Sequence, residues 1–80
     1  MPWYLYIVEC KDGVLYTGIT TDLKRRMREH NSGNGCRFTK YRAPVELLHS
    51  EKLRSRSAAL KRELKVKSLS RKKKLELIGA

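Results

Sequence analysis

The segment from Trp3 to Cys10 limits what this chain can fold into more than any other. Tyr4-Leu5-Tyr6-Ile7-Val8 is aliphatic, β-branched or aromatic throughout, the composition that strands prefer. Successive strand residues point to opposite faces. One alternating set here is Leu5 and Ile7, and the other is Tyr6 and Val8. Neither face is suited to water, so the strand belongs at the centre of a sheet covered on both sides. Lys11-Asp12-Gly13 makes a turn, and Val14 to Thr20 a second strand. Asp12-Gly13 as a two-residue turn would pair Lys11 with Val14. Lys11-Asp12-Gly13 as a three-residue loop, with Gly13 left-handed, pairs Cys10 with Val14. A one-residue slip moves a whole side-chain set to the other face. Glycine at the third loop position favours the second register, which sets Tyr6 across from Gly18 and Tyr16 across from Val8, with both phenols on one face.

Asp22 starts a helix that runs to about Asn31, its acid complementing the helix dipole. Ser32-Gly33-Asn34-Gly35 terminates it with residues that tolerate positive φ. Leu23, Arg26, Met27 and His30 follow i, i+3, i+4, i+7 and share a face, whereas Lys24, Arg25 and Arg28 point elsewhere. Cys36 to Pro44 reads as an ordered but irregular loop carrying Arg37, Lys40 and Arg42. Val45 to Glu51 alternates as a third strand. Ser55 or Ser57 caps a helix to about Ser68, and Ser70 caps a short last helix, Arg71 to Ile78, whose Leu75 and Ile78 are expected to dock on the core. The run Arg71-Lys72-Lys73-Lys74 reads as a solvated face. The fold expected is α/β (α+β), a small three-stranded, mainly antiparallel sheet flanked by helices, forming one domain over residues 1–80.

Nineteen Lys and Arg face eight acids, a formal charge of +11. A small basic domain of this kind neutralises an anionic partner, and nucleic acid is the expected one. No apolar stretch approaches the ~20 residues of a membrane span, and Met1-Pro2-Trp3-Tyr4 lacks the basic-then-apolar order of a secretory leader. A cytoplasmic location with Cys10 and Cys36 reduced is the matching expectation. A zinc site from Cys10, Cys36, His30 and His49 fits no usual ligand spacing.

Glu63 is out of place. Ala59, Leu60, Leu64 and Val66 all fall within about 100° of it on a helix, on the face expected to pack inward. A buried unpaired carboxylate is costly. It is either paired with Lys67 at i+4 or a ligand for a divalent metal, since Mg²⁺ is often held by one or two protein carboxylates with water and phosphate completing the shell. Arg26 shares a face with Leu23 and Met27. It either snorkels over apolar surface or holds a planar cation against a phosphate. Tyr6 and Tyr16 are cross-strand aromatics, or phenols whose ionisation needs a nearby cation. His30 stands one turn from Arg26. Gly18 permits close approach of backbone or phosphate.

Taken together these residues resemble the GIY-YIG nuclease superfamily, in particular its short, single-domain bacterial members. Tyr4-Leu5-Tyr6 is similar to the first motif, with Tyr6 as its tyrosine, and Tyr16-Thr17-Gly18 to the second. Arg26 falls on the family arginine, His30 on the subgroup's histidine, and Glu63, within Ala59-Leu60-Lys61-Arg62-Glu63, on the metal-binding glutamate. Tyr4 replaces the glycine of the first motif and Thr17 the isoleucine of the second. No asparagine follows Glu63, where larger relatives carry one, so Lys67 or its neighbours would have to serve. The resemblance implies hydrolysis of nucleic-acid phosphodiesters, DNA foremost, with Mg²⁺ or Mn²⁺ on Glu63. It also implies Arg26 on the phosphate, and a base drawn from Tyr6, Tyr16 and His30. A separate DNA-binding domain is expected only of larger relatives, so Arg25, Arg37, Lys40 and Lys67 are the expected nucleic-acid contacts. One site cuts one strand, so a double-strand break calls for a dimer or two visits. The competing expectations are a binding module that keeps the fold without turnover, and a basic interaction domain serving a nuclease or RNA.

Overall fold

The elements run β1 (Trp3–Glu9), β2 (Leu15–Thr20), α1 (Leu23–Asn31), β3 (Glu46–Leu53), α2 (Arg56–Lys67) and α3 (Arg71–Ile78). The computed structural model describes residues 2–33 and 40–79. The loop positions Cys36 and Arg37, and the Asn34-Gly35 end of the expected helix terminator, lie outside the described residues.

The sheet order is β2-β1-β3 with both pairings antiparallel, so the strand with two apolar faces is the central one. Cys10 N–H donates to Val14 O at 2.9 Å and Gly13 N–H to Cys10 O at 2.8 Å, with Gly13 at φ +82°. This is the three-residue loop, and its register follows: Tyr6 pairs with Gly18 and Val8 with Tyr16. On the other side of β1 the register shifts between Ile7, opposite His49, and Val8, opposite Leu47. Leu48 is the extra residue of this bulge. The slip turns Leu47 to the Val8 side of the sheet, where it lines an apolar groove with Leu23 and Met27 of α1.

Two cores result, one per sheet face. Tyr6, Val8, Cys10 and Val45 pack with Tyr16, Leu23 and Met27. Leu5, Ile7 and Val66 pack with Leu15, Leu53, Leu77 and Ile78. So α1 covers one face and α2 with α3 the other. Each helix starts on a side chain that satisfies an orphan backbone donor: Asp22 Oδ1 accepts from Arg25 N–H at 3.0 Å, Ser55 Oγ from Ala58 N–H at 3.1 Å, and Ser70 Oγ from Lys73 N–H at 3.2 Å. Two expectations are corrected. Leu64 is not on the inward face of α2; it is 70% exposed, and Ala59 and Val66 are the buried residues. The apolar residue of α3 that joins Ile78 in the core is Leu77 rather than Leu75. Among the described residues no helix is long and apolar enough to cross a membrane.

One polar network fastens α2 to β3. Arg62 donates through Nε to Glu51 Oε1 at 2.8 Å and through Nη2 to Oε2 at 3.0 Å, a two-pronged pair, and His49 Nε2 lies 2.8 Å from Glu51 Oε2. The Arg62 hydrogen bonds, working against burial and aided by His49, hold the Glu51 carboxyl below its usual 4.5. A carboxylate with a lowered folded pKa stabilises the fold above its unfolded value, and that stabilisation is lost as pH falls through the folded value. Urea denaturation of Glu51→Gln at neutral pH should show a loss of about 1–2 kcal/mol. Its stability should also change less than the parent's as pH drops below 4.5. Parallel pH curves for the two proteins would remove Glu51 from this role.

Candidate active site

Tyr6 reaches its position because the strand beside it has no side chain to stop it. A Cβ at Gly18 would stand 2.5 Å from Tyr6 Oη and 2.7 Å from Cζ, distances that real Cβ contacts do not reach. The phenol therefore lies across β2. Tyr16, on the same face, places its ring centroid 6.4 Å from that of Tyr6. His30, in the last turn of α1, sits edge-on to both rings, with centroids 5.8 Å from Tyr6 and 5.6 Å from Tyr16. Tyr6 and His30 are fully buried, and Tyr16 is half-buried.

The polar atoms of this cluster have a defined order. Arg26 Nε–H donates to Tyr6 Oη at 3.3 Å, and Tyr6 Oη lies 3.0 Å from His30 Nε2. The guanidinium only donates. The phenol oxygen thus accepts from Arg26, and its hydrogen bond with His30 Nε2 runs from the phenol when the imidazole carries its proton at Nδ1 and from the ring when it carries it at Nε2. Burial first, and the Arg26 charge second, push the His30 pKa below its usual 6.5 against the opposing pull of Glu29. Both effects favour the neutral imidazole. For Arg26, burial opposes the charged form, but the hydrogen bonds and charges of Tyr6 and Glu29 outweigh it and push the pKa further up. A permanent cation is thereby fixed against a phenol, the arrangement that lowers the cost of phenolate.

Glu63 lies in the other layer. It sits on α2 between Ala59 and Val66, its side chain 16% exposed, with Lys67 Nζ 3.4 Å from Oε2. The i+4 pair expected as its structural partner is present. Among the described residues no hydrogen bond or ion pair joins it to the ring cluster. The edge strand β2 stands between the two layers, contacted by α2 and crossed by the Tyr6 ring. Of the expected nucleic-acid contacts, Arg25 is exposed on α1 beside Arg26, Lys67 is half-exposed and paired with Glu63, and Lys40 is exposed with Nζ 5.4 Å from the Tyr41 ring centre. Arg37 lies outside the described residues.

No group of three His, Cys, Asp or Glu among the described residues is arranged to hold a metal. His49 is engaged by Glu51 and Cys10 is buried among apolar residues. Glu29 was not singled out by the sequence, yet its Oε1 lies 3.0 Å from Arg26 Nη1; its signal was the i+3 spacing from Arg26. Thr17 Oγ1 is buried with no hydrogen-bond partner among the described residues.

The Tyr6–Gly18 contact has a measurable consequence. Gly18→Ala should destabilise the protein by about 1–3 kcal/mol through overpacking. In a Tyr6→Leu background most of that cost should vanish, since neighbours in contact are not additive. Equal costs in both backgrounds, measured by urea denaturation, would show that the phenol does not need the glycine.

Comparisons with known proteins place the sequence and the fold in a family. Residues 2–76 match the family model described as the GIY-YIG catalytic domain. A UPF0213 protein of Haloquadratum walsbyi is 57% identical over 74 residues, 92% of this chain and 83% of that protein. One from Staphylococcus saprophyticus is 52% identical over 76 residues, 95% of this chain and 93% of that protein. The solution NMR structure of a UPF0213 protein from Bacillus halodurans superposes with a TM-score of 0.64 at 46% identity, covering 99% of this chain and 84% of that one. A solution NMR structure of an E. faecalis protein gives 0.68 at 42% identity with the same coverage. With its two phenols, arginine and histidine gathered on one sheet face and the family model spanning nearly its whole length, the chain belongs to the GIY-YIG catalytic-domain family.

Proposed function

We propose that this protein is a divalent-metal-dependent endonuclease that hydrolyses phosphodiester bonds of DNA with low sequence specificity. The observation that carries the reading is the Tyr6 hydroxyl held between the Arg26 guanidinium at 3.3 Å and His30 Nε2 at 3.0 Å. GIY-YIG domains are nucleases, which makes nucleic acid the substrate class. The formal charge of +11 supplies the attraction.

In this reading Tyr6 is the base. Its phenolic proton moves to His30 Nε2, and the oxygen left behind is stabilised by Arg26. That oxygen takes a proton from the attacking water as the new P–O bond forms and the bond to the leaving sugar oxygen breaks. Arg26 carries the charge that grows on the phosphate. Tyr16 packs against His30 and keeps the imidazole in place. In this reading the scissile phosphate is met at Arg26, whose side chain is 24% exposed beside the buried Tyr6.

Nucleases of this family generally use divalent metals. One half-buried carboxylate outside any His, Cys or Asp cluster suits Mg²⁺ or Mn²⁺, whose shells are completed by water and phosphate oxygens, and does not suit zinc. Glu63 would hold the ion, which when bound supplies positive charge to the leaving oxygen. Lys67 neutralises Glu63 in the free protein and lies free to turn to the phosphate once the carboxylate is otherwise engaged.

The competing reading is a module that binds nucleic acid without cutting it. The Glu63–Lys67 pair favours it, because the carboxylate already has a cation. Plasmid nicking separates the two. With Mg²⁺ or Mn²⁺ the protein should nick supercoiled DNA. Glu63→Gln should lower nicking at least about 100-fold with binding retained, and Arg26→Ala should cost about 10²–10³-fold. Binding with no nicking at high protein and Mn²⁺ would leave the module. Unchanged nicking in Arg26→Ala would take the phosphate role from Arg26.

A further inference from the structure

Arg26 has a second partner whose place in the cleavage reading is unassigned. Glu29 Oε1 lies 3.0 Å from Arg26 Nη1, and Glu29 Oε2 lies 3.8 Å from Arg25 Nε. One carboxylate thus spans two guanidiniums, because residues three and four positions apart are neighbours on a helix. The three side chains line one cleft of about 220 Å³ together with Trp3, Ile19 and Thr21. Pockets for drug-sized ligands run from about 300 to 1,000 Å³. This one is smaller and is bordered by two permanent cations and an indole, dimensions suited to a single phosphate with its sugar.

A guanidinium fork matches carboxylate and phosphate oxygens alike. The Glu29 carboxylate therefore occupies the two donors that a phosphate would use, and it repels any phosphate that approaches while it stays. Both ion pairs are partly exposed, with side-chain exposures of 24–51%, so each is weak enough to be exchanged. The bond from Arg26 to Tyr6 uses Nε, whereas the bond to Glu29 uses Nη1. Exchange of the anion on Nη1 leaves the Tyr6 contact in place.

We infer that this cleft is a phosphate subsite of the nucleic-acid path, closed in the free protein by Glu29, and that a nucleic-acid phosphate replaces the Glu29 carboxylate on Arg25 and Arg26. The inference rests on the nucleic-acid reading above and adds a gate to it. Glu29 selects for ligands that carry dense phosphate charge, because a weaker anion gains nothing by displacing a carboxylate already in position. Arg26 is never without a counter-charge, so it is held in the same orientation before and after the substrate arrives.

Trp3 is the one tryptophan of the sequence and lines the cleft, so its emission reports on what enters. Binding of a short oligothymidine is followed by this emission without divalent metal, in chelator, on the full chain. The variants are Glu29→Gln, Arg25→Gln and Glu76→Gln. Glu76 pairs with Lys73 on α3, so its variant removes the same charge away from the cleft. The expected result is binding about fivefold tighter for Glu29→Gln, less than about twofold tighter for Glu76→Gln, weaker for Arg25→Gln, and a saturable change in Trp3 emission for the parent. Glu29→Ala should repeat the gain, with circular dichroism confirming the fold of each. Equal gains for Glu29→Gln and Glu76→Gln would overturn the subsite, since net charge alone would then account for them. So would oligonucleotide binding that leaves Trp3 emission unaltered. The outcome is separable from cleavage. A protein that passes these tests and never nicks DNA loses the nuclease reading and keeps the subsite. One that nicks DNA while its Glu29 and Glu76 variants bind alike loses only the subsite.

Discussion

The Tyr6 ring lies over a position of the neighbouring strand that has no side chain, and a single added carbon at Gly18 would stand 2.5 Å from its hydroxyl oxygen. That close crossing fixes where the phenol ends. Once it is fixed, the face of α1 that carries Arg26 and His30 has a polar atom to meet at 3.3 and 3.0 Å. A fully buried histidine and a fully buried tyrosine are acceptable in an apolar core because they satisfy each other. The hairpin loop matters for the same reason. Gly13 in its left-handed conformation sets the register that brings Tyr6 opposite Gly18 and Tyr16 onto the same face. Packing and chemistry on this side of the sheet are thus consequences of one steric allowance.

Charge organises the rest. The acids are few, and five of them meet a cation: Asp12 with Arg42, Glu29 with Arg26, Glu51 with Arg62, Glu63 with Lys67 and Glu76 with Lys73. None of the three helices has an acid in its first turn, and α3 opens on Arg71-Lys72-Lys73-Lys74, cations at the end of the helix where the dipole disfavours them. Apolar docking of Leu77 and Ile78 and the bond from Arg71 Nη1 to Gly13 O at 2.9 Å hold α3 despite this. Acids placed on cations at the two layers, and cations left in excess elsewhere, describe a surface built to meet a polyanion.

Much of the fold was legible in the sequence because the signals were local. Asp22, Ser55 and Ser70 compete for backbone donors wherever they stand, so they mark helix starts. A strand apolar on both faces has only the sheet centre open to it. The bulge at Leu48 was not legible, because a strand that alternates evenly gives no hint of where its partner will slip. Leu64 was misread because α2 interleaves leucines with lysines, and the contact with the sheet selects Ala59 and Val66 over the larger side chains. Leu77 displaced Leu75 for the same tertiary reason. The ring cluster followed from register and helix period, and both are sequence properties. The carboxylate that occupies Arg26 did not, since Glu29 is an ordinary surface residue until the guanidinium beside it is known to turn inward.

The account turns on which atom of His30 carries the proton. Long-range proton–nitrogen NMR of the uniformly labelled protein at pH 7 reads this directly, without substrate or metal. The account predicts a neutral ring protonated at Nδ1, with Nε2 bare and accepting from the Tyr6 hydroxyl. A ring protonated at Nε2, or a doubly protonated imidazolium, would not accept from the phenol and would contradict the account.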